Sequence, residues 1–172
     1  YLFIADGELL KPYVVNALKK YKPILRFYTY DSFCIKDYGT FFSDGSICLT
    51  SFLDTPFHCI KCTAKWILKN KPRMARHTFM TSLAFLPGFS NIVKRSLKNA
   101  STIIVYNEFI KKIAEKYNPN CLIVPSGVDT GLFKPLNSKA SNKVPVVLMT
   151  GRIGDPGKGF ETLYRACKIL YE

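Results

Sequence analysis

The apolar positions of this chain change period several times, and each change predicts an element. Leu9, Leu10, Tyr13, Val14, Ala17, Leu18 and Tyr21 recur every three or four residues, the spacing of an amphipathic helix, with Pro12 tolerated in its first turn. Lys22-Pro23 ends that helix, and Ile24 to Tyr30 is a β-branched and aromatic run suited to a buried strand. Tyr1 to Ile4 has the character of a strand end. Asp31 to Thr63 is punctuated by Gly and Cys without a clear period, which predicts a loop-rich insert. Trp66, Ile67, Met74, Phe79, Met80, Leu83 and Phe85 follow in a mainly helical stretch broken near Pro72.

Beyond Pro87-Gly88 the pattern sharpens. Ile92, Val93, Leu97 and Ala100 suit a helix, and Thr102 to Tyr106 is an apolar strand. Asn107 is an N-cap for a helix over Glu108 to Tyr117, and Cys121 to Val124 is the next strand. Strand, helix and strand in such quick succession form a βαβ unit, so the two strands are expected to pair in parallel. Pro125 to Lys143 is polar and rich in turn formers. Val144 to Met149 is a further apolar strand pattern, Gly151 to Gly159 a glycine-rich turn, and Phe160 to Tyr171 a helix, the opening β-turn-α of a second Rossmann-like domain. The fold class is therefore α/β. The expected division is 1–135 for an N-terminal Rossmann-like part with a Cys-rich insert at about 31–63, 136–143 for a linker, and 144–172 for the start of a second domain.

Composition narrows the classes. The chain has 172 residues, 48% hydrophobic and 14% aromatic, with no apolar run approaching the roughly 18 residues that span a bilayer, so disorder, low complexity and a membrane-spanning helix are excluded. The formal charge is +13, and it is uneven. Residues 1–60 carry six basic and six acidic side chains, whereas no acid occurs between Thr55 and Asn107 among nine Lys and Arg: Lys61, Lys65, Lys69, Lys71, Arg73, Arg76, Lys94, Arg95 and Lys98. Such a patch suits nucleic acid, an anionic membrane face or a phosphorylated ligand, and equally a plain solvated surface. No secretory signal pattern is evident, so a reducing, cytoplasmic setting is expected. The chain is also expected to be an internal piece of a longer protein.

The turn Gly151-Arg152-Ile153-Gly154-Asp155-Pro156-Gly157-Lys158-Gly159 follows a strand pattern and opens a helix, where free N–H groups and the positive helix end favour a phosphate. Arg152 can grip a phosphate bidentately and Lys158 can add a point charge. A Walker A loop is excluded, because that motif needs Gly at 152 and Ser or Thr at 159.

Val124-Pro125-Ser126-Gly127-Val128-Asp129, then Phe133 and Pro135, then Gly151-Arg152 and Lys158-Gly159-Phe160, resemble the domain junction of group 1 (family 4) glycosyltransferases. The resemblance covers residues 102–172. It implies a GT-B architecture, two Rossmann-like domains facing a cleft, and transfer of a sugar with retained configuration from a nucleotide-sugar donor to a polysaccharide or lipid-linked acceptor in envelope glycan synthesis. It further implies that Gly151, Arg152 and Lys158 bind the donor diphosphate, that Gly127 and Asp129 shape the junction, and that transfer itself needs no metal. Phe27 to Asp31 followed by Cys34 is similar to the family's strand ending in His-Asp, with Tyr30 standing at the position of the His. A phenol donates a hydrogen bond but is a poor base near neutral pH, so the catalytic group stays unassigned. The family's N-terminal glycine-rich loop and its Glu-x7-Glu motif are absent from the sequence.

Cys34, Cys48, Cys59 and Cys62 follow the spacing C-x13-C-x10-C-x2-C. Clustered thiols in a reducing setting suggest a structural zinc, with buried free thiols and disulfides as alternatives. His58 adjoins Cys59 and could replace a cysteine as a ligand, and His77 belongs to the basic stretch. Cys121 and Cys167 are expected in the core of a strand and a helix. Asp31, Asp37, Asp44 and Asp54 are assigned no role beyond capping turns. Aromatic and cationic side chains over 61–98 suit a peripheral contact with an anionic membrane. The competing class is a zinc-stabilised nucleic-acid-binding module. The lack of an RNP-like motif or paired zinc knuckles weighs against it, so nucleic acid is not the expected partner.

Overall fold

A computed structural model describes residues 2–5, 8–28, 30, 32–36, 46, 48–69, 72–134, 146–151 and 158–171. The chain divides into two compact units, Tyr1–Gly127 and Val128–Glu172.

The first unit is an α/β body built on a four-stranded parallel sheet. Strands β1 (Phe3–Ile4), β2 (Ile24–Arg26), β3 (Thr102–Val105) and β4 (Cys121–Ile123) lie side by side in sequence order. Their register aligns Ile4 with Leu25, Leu25 with Ile103 and Ile103 with Cys121. Because side chains alternate along a strand, these four point to one face, and all four are buried. Phe27 and Val105 extend that face, the former through a backbone bond to Ile104 (2.9 Å) that carries the pairing one residue past β2. On the neighbouring rows Phe3 and Leu122 are exposed.

The helix α1 (Lys11–Ala17) joins β1 to β2, preceded by a 3-10 turn at Glu8–Leu10 and followed by another at Lys19–Tyr21. The expected helix is present, but it turns a different face inward. Lys11, Pro12 and Val15 are buried, while Tyr13 and Val14 are exposed. The tighter turns at both ends rotate the side chains off the uniform period from which the face was read.

A long crossover separates β2 from β3. It contains α2 (Pro56–Lys69), α3 (Pro72–Thr81), a 3-10 segment (Ser82–Phe85) and α4 (Phe89–Asn99). The break expected near Pro72 is present as the start of α3, where proline suits the first turn. The insert expected to be loop-rich to Thr63 instead becomes helical at Pro56. Gly88, at φ +87°, sets the chain into α4, which buries Phe89, Val93, Ser96 and Leu97 at helical spacing. The helix α5 (Glu108–Ala114) then joins β3 to β4, and the predicted cap forms: Asn107 Oδ1 accepts from Ile110 N at 2.9 Å.

Side-chain amides lock this frame. Asn16 Nδ2 donates to Ile92 O (3.0 Å) and Asn16 Oδ1 accepts from Asn99 Nδ2 (2.8 Å), so α1 is fastened to both ends of α4. Asn118 Nδ2 donates to Leu97 O and Ala100 O, each at 2.9 Å, satisfying carbonyls that the end of α4 leaves without helical partners.

In the second unit the helix α6 (Phe160–Tyr171) forms as expected. The strand expected over 144–149 does not appear among the described residues 146–150, and Val146, Val147 and Leu148 are exposed. A strand needs a neighbour to satisfy its N–H and C=O groups, and no described segment of this unit supplies one. Cys167, expected in a core, is exposed on α6.

Replacing Asn118 by Ala strands two buried carbonyls and should cost about 2 kcal/mol, read as a lowered urea midpoint with an unchanged slope. An unchanged midpoint would remove the proposed role of this amide.

Candidate functional site

Ligands of open parallel sheets gather outside the carboxyl ends of the strands, and the sequence-predicted Tyr30 lies in the segment leaving β2 there. Its carbonyl accepts from the N–H groups of Phe33 and Cys34, both at 2.7 Å. That tight turn buries Phe33, its ring tilted against that of Phe27 with centroids 5.1 Å apart, and brings Cys34 back toward the body. The Tyr30 ring meets Tyr106, the residue after β3, edge to face at 6.3 Å. Asp31 lies outside the described residues.

Sequence patterning missed Lys11. It is buried at the start of α1, the helix that follows β1, with its ammonium 4.6 Å from the centre of the Phe27 ring. A lysine in the first turn of a helix gives no sign of burial until the packing of that turn is known. Lys36 is likewise buried, 5.8 Å from the Trp66 ring.

The four clustered cysteines do come together. Cys34, Cys48, Cys59 and Cys62 line one cavity of about 20 Å³, with His58, Lys36 and Thr63 among the other wall residues. Cys59 and Cys62 sit on α2, three residues apart and so on one face of the helix, not in the knuckle loop that their spacing suggests. Cys34 and Cys48 approach from outside regular structure. All four are free thiols. Cys48 Sγ is 3.1 Å from Thr50 Oγ1, and Thr55 Oγ1 lies 4.0 Å from Cys59 Sγ. Burial, with small additions from the three other thiols, pushes Cys59 up to about 11, which keeps it neutral and unreactive as a nucleophile near pH 7. Among the described residues no three His, Cys, Asp or Glu side chains stand close enough to hold a metal ion as they are. The side chain of His77 lies outside the described residues.

Asp54, assigned only a capping role from sequence, ties the thiol-bearing segment to the sheet. It accepts from Tyr117 Oη and from Lys116 Nζ (3.1 Å), both just beyond α5. Partial burial opposes its ionisation, but the hydrogen bonds from Tyr117 and Lys116 and the charges of Lys116 and Lys94 outweigh it, and its pKa falls below the ordinary value. Burial and the same carboxylate push the Tyr117 phenol well above its usual range.

In the second unit, Gly151 and Lys158 lie side by side. A Cβ on Gly151 would stand 3.9 Å from Lys158 Cγ, and Gly151 adopts φ +151°. Gly159, at φ +70°, opens α6 by accepting from Leu163 N (3.0 Å). Both glycines hold backbone angles that a side chain would strain. Lys158 is exposed, Glu161 pairs with Arg165 at 2.9 Å, and Arg152 lies outside the described residues. Asp129 Oδ1 accepts from Gly131 N (2.8 Å) and Leu132 N (3.2 Å), making it the organiser of a turn.

The Asp54 linkage has a defined sign. Its depressed pKa gives stability that is present above the unfolded carboxylate value of about 3.9 and lost as pH falls through the folded value. Asp54→Asn should therefore cost a few tenths of a kcal/mol near pH 7, about 1 at most, and flatten the acid limb of urea midpoint against pH. An acid limb identical to the parent would show that the carboxylate contributes nothing. Comparisons of the chain with protein-family models, with curated proteins and with solved structures return no match.

Proposed function

We propose that the chain belongs to a retaining glycosyltransferase of GT-B architecture that moves a sugar from a nucleotide-sugar donor to a glycan or lipid-linked acceptor in envelope glycan synthesis. The observation that carries this reading is the juxtaposition of Gly151 and Lys158 at the opening of α6. A diphosphate seated there meets the first N–H groups of a helix, its positive end and an exposed ammonium. Arg152, next in sequence to Gly151, adds a second cation. Two cations at the diphosphate stabilise the charge that grows on the nucleotide as it leaves, so transfer proceeds without a metal in this proposal. The parallel sheet of the first unit, with Tyr30, Tyr106 and Lys11 on segments that follow its strands, supports an acceptor-side role for that unit. Tyr30 orients the acceptor by hydrogen bonding and takes no proton-transfer role.

The acid-free stretch supports contact with an anionic membrane. On α2, Phe57 and Leu68 are exposed together with Lys61, Lys65 and Lys69, and on α3, Phe79 and Met80 are exposed with Arg76. Apolar and cationic side chains on the same helices suit a headgroup layer. Among the described residues no helix is long and apolar enough to cross a membrane.

Arg152→Ala or Lys158→Ala in the complete protein should lower turnover with a nucleotide-sugar donor roughly 100-fold, and wild-type rates in both variants would refute the donor assignment. The protein should sediment with anionic vesicles at low salt and be released as salt rises. Equal binding to neutral vesicles would remove the electrostatic contact, and tight, saturable retardation of nucleic acid at physiological salt would favour the nucleic-acid-binding alternative.

A further inference from the structure

We propose that Cys34, Cys48, Cys59 and Cys62 form a binding site for one soft divalent metal ion of the zinc class. The ion would act as a structural clamp between α2 and the stretches that carry Cys34 and Cys48. The site is independent of the glycosyl-transfer reading.

Four thiols drawn from two stretches of different character meet at one small cavity. Two stand on the same face of α2, which gives the site a rigid half. The other two come from chain without helix or strand, which gives it an adjustable half. The cavity, about 20 Å³, has room for a single small occupant. Zinc takes thiolate sulfur at about 2.3 Å in a tetrahedron. The thiols do not yet stand at that spacing, so the ion must draw the Cys34 and Cys48 segments onto α2. Among the described residues, backbone bonds from Phe33 N and Cys34 N to Tyr30 O and from Phe52 N to Phe33 O (3.2 Å) anchor the Cys34 turn. A metal held by all four thiols would tie the Cys34 and Cys48 stretches to α2.

Charge favours the same occupant. As each S–metal bond forms, the thiol gives its proton to water, and four thiolates around a divalent ion leave a centre of about −2. Lys36, buried, lines the cavity and places one cation beside such a centre. Cys121 and Cys167 lie outside the cavity and serve as controls.

The test is a titration of the complete, reduced and chelator-stripped protein with Co2+ and Zn2+. A tetrahedral cobalt–thiolate spectrum saturating at about one equivalent and displaced by Zn2+ is expected, with proton release on binding. Zinc should shield Cys34, Cys48, Cys59 and Cys62, but not Cys167, from alkylation mapped by mass spectrometry. Cys48→Ser should lower affinity at least about tenfold and Cys167→Ser should leave it unchanged. The alkylation map is read on the parent protein, so it stands even if Cys48→Ser fails to fold. No cobalt–thiolate absorption, equal alkylation of all four thiols with and without zinc, or disulfides between them in protein isolated under reducing conditions would each overturn the proposal.

Discussion

Strands of two to four residues have too few ladder bonds to stand alone, so the first unit depends on one apolar row running across them. Ile4, Leu25, Ile103 and Cys121 are in register and all buried. Burying side chains of this size stabilises by roughly 1.5–3 kcal/mol each relative to exposure, far more than the few backbone bonds contribute net. The register matters because a slip of one residue would bring Phe3, Ile24 and Thr102 to the positions this row holds. Helices α1, α4 and α5 can pack only where that row exists.

Polar contacts then specify how the helices sit. Asn16, Asn99 and Asn118 each join elements distant in sequence, and Asn118 also satisfies two carbonyls that burial would otherwise penalise. Asp54 does the same for the crossover, pinning the turn before α2 to the end of α5. With that turn held, α2 presents Cys59 and Cys62 toward the turn that Tyr30 O organises around Phe33 and Cys34. The carboxyl-edge features and the thiol cavity are therefore parts of one packed arrangement.

Much of the α/β order was legible where a local signal had no competitor. The N-cap at Asn107, the parallel pair around α5, the proline start of α3 and the helix at Phe160–Tyr171 all follow from short-range stereochemistry. Legibility failed where neighbours decide. Tyr13 and Val14 fit the helical period and Val15 does not, yet the 3-10 turns around α1 and its packing on α4 turn Val15 inward. The helix from Pro56 was missed although Phe57, Ile60, Ala64 and Leu68 recur at helical spacing, because the Gly- and Cys-punctuated run before it carries no period and Phe57, Ile60 and Leu68 stay exposed.

What the amino-acid order determined alone is chemical inventory and local geometry: four thiols clustered within 34–62, glycines where Gly151 and Gly159 need positive φ, and a 53-residue stretch without acid. What tertiary structure decided is coincidence in space. Only packing buries Lys11 against Phe27, joins Asp54 to Tyr117 across 63 residues, and brings Cys34 and Cys48 to the cavity beside the Cys59–Cys62 face of α2. Local stereochemistry acts within a turn or two of the chain. Burial and convergent hydrogen bonds act between segments whose separation in sequence carries no information about their distance in space.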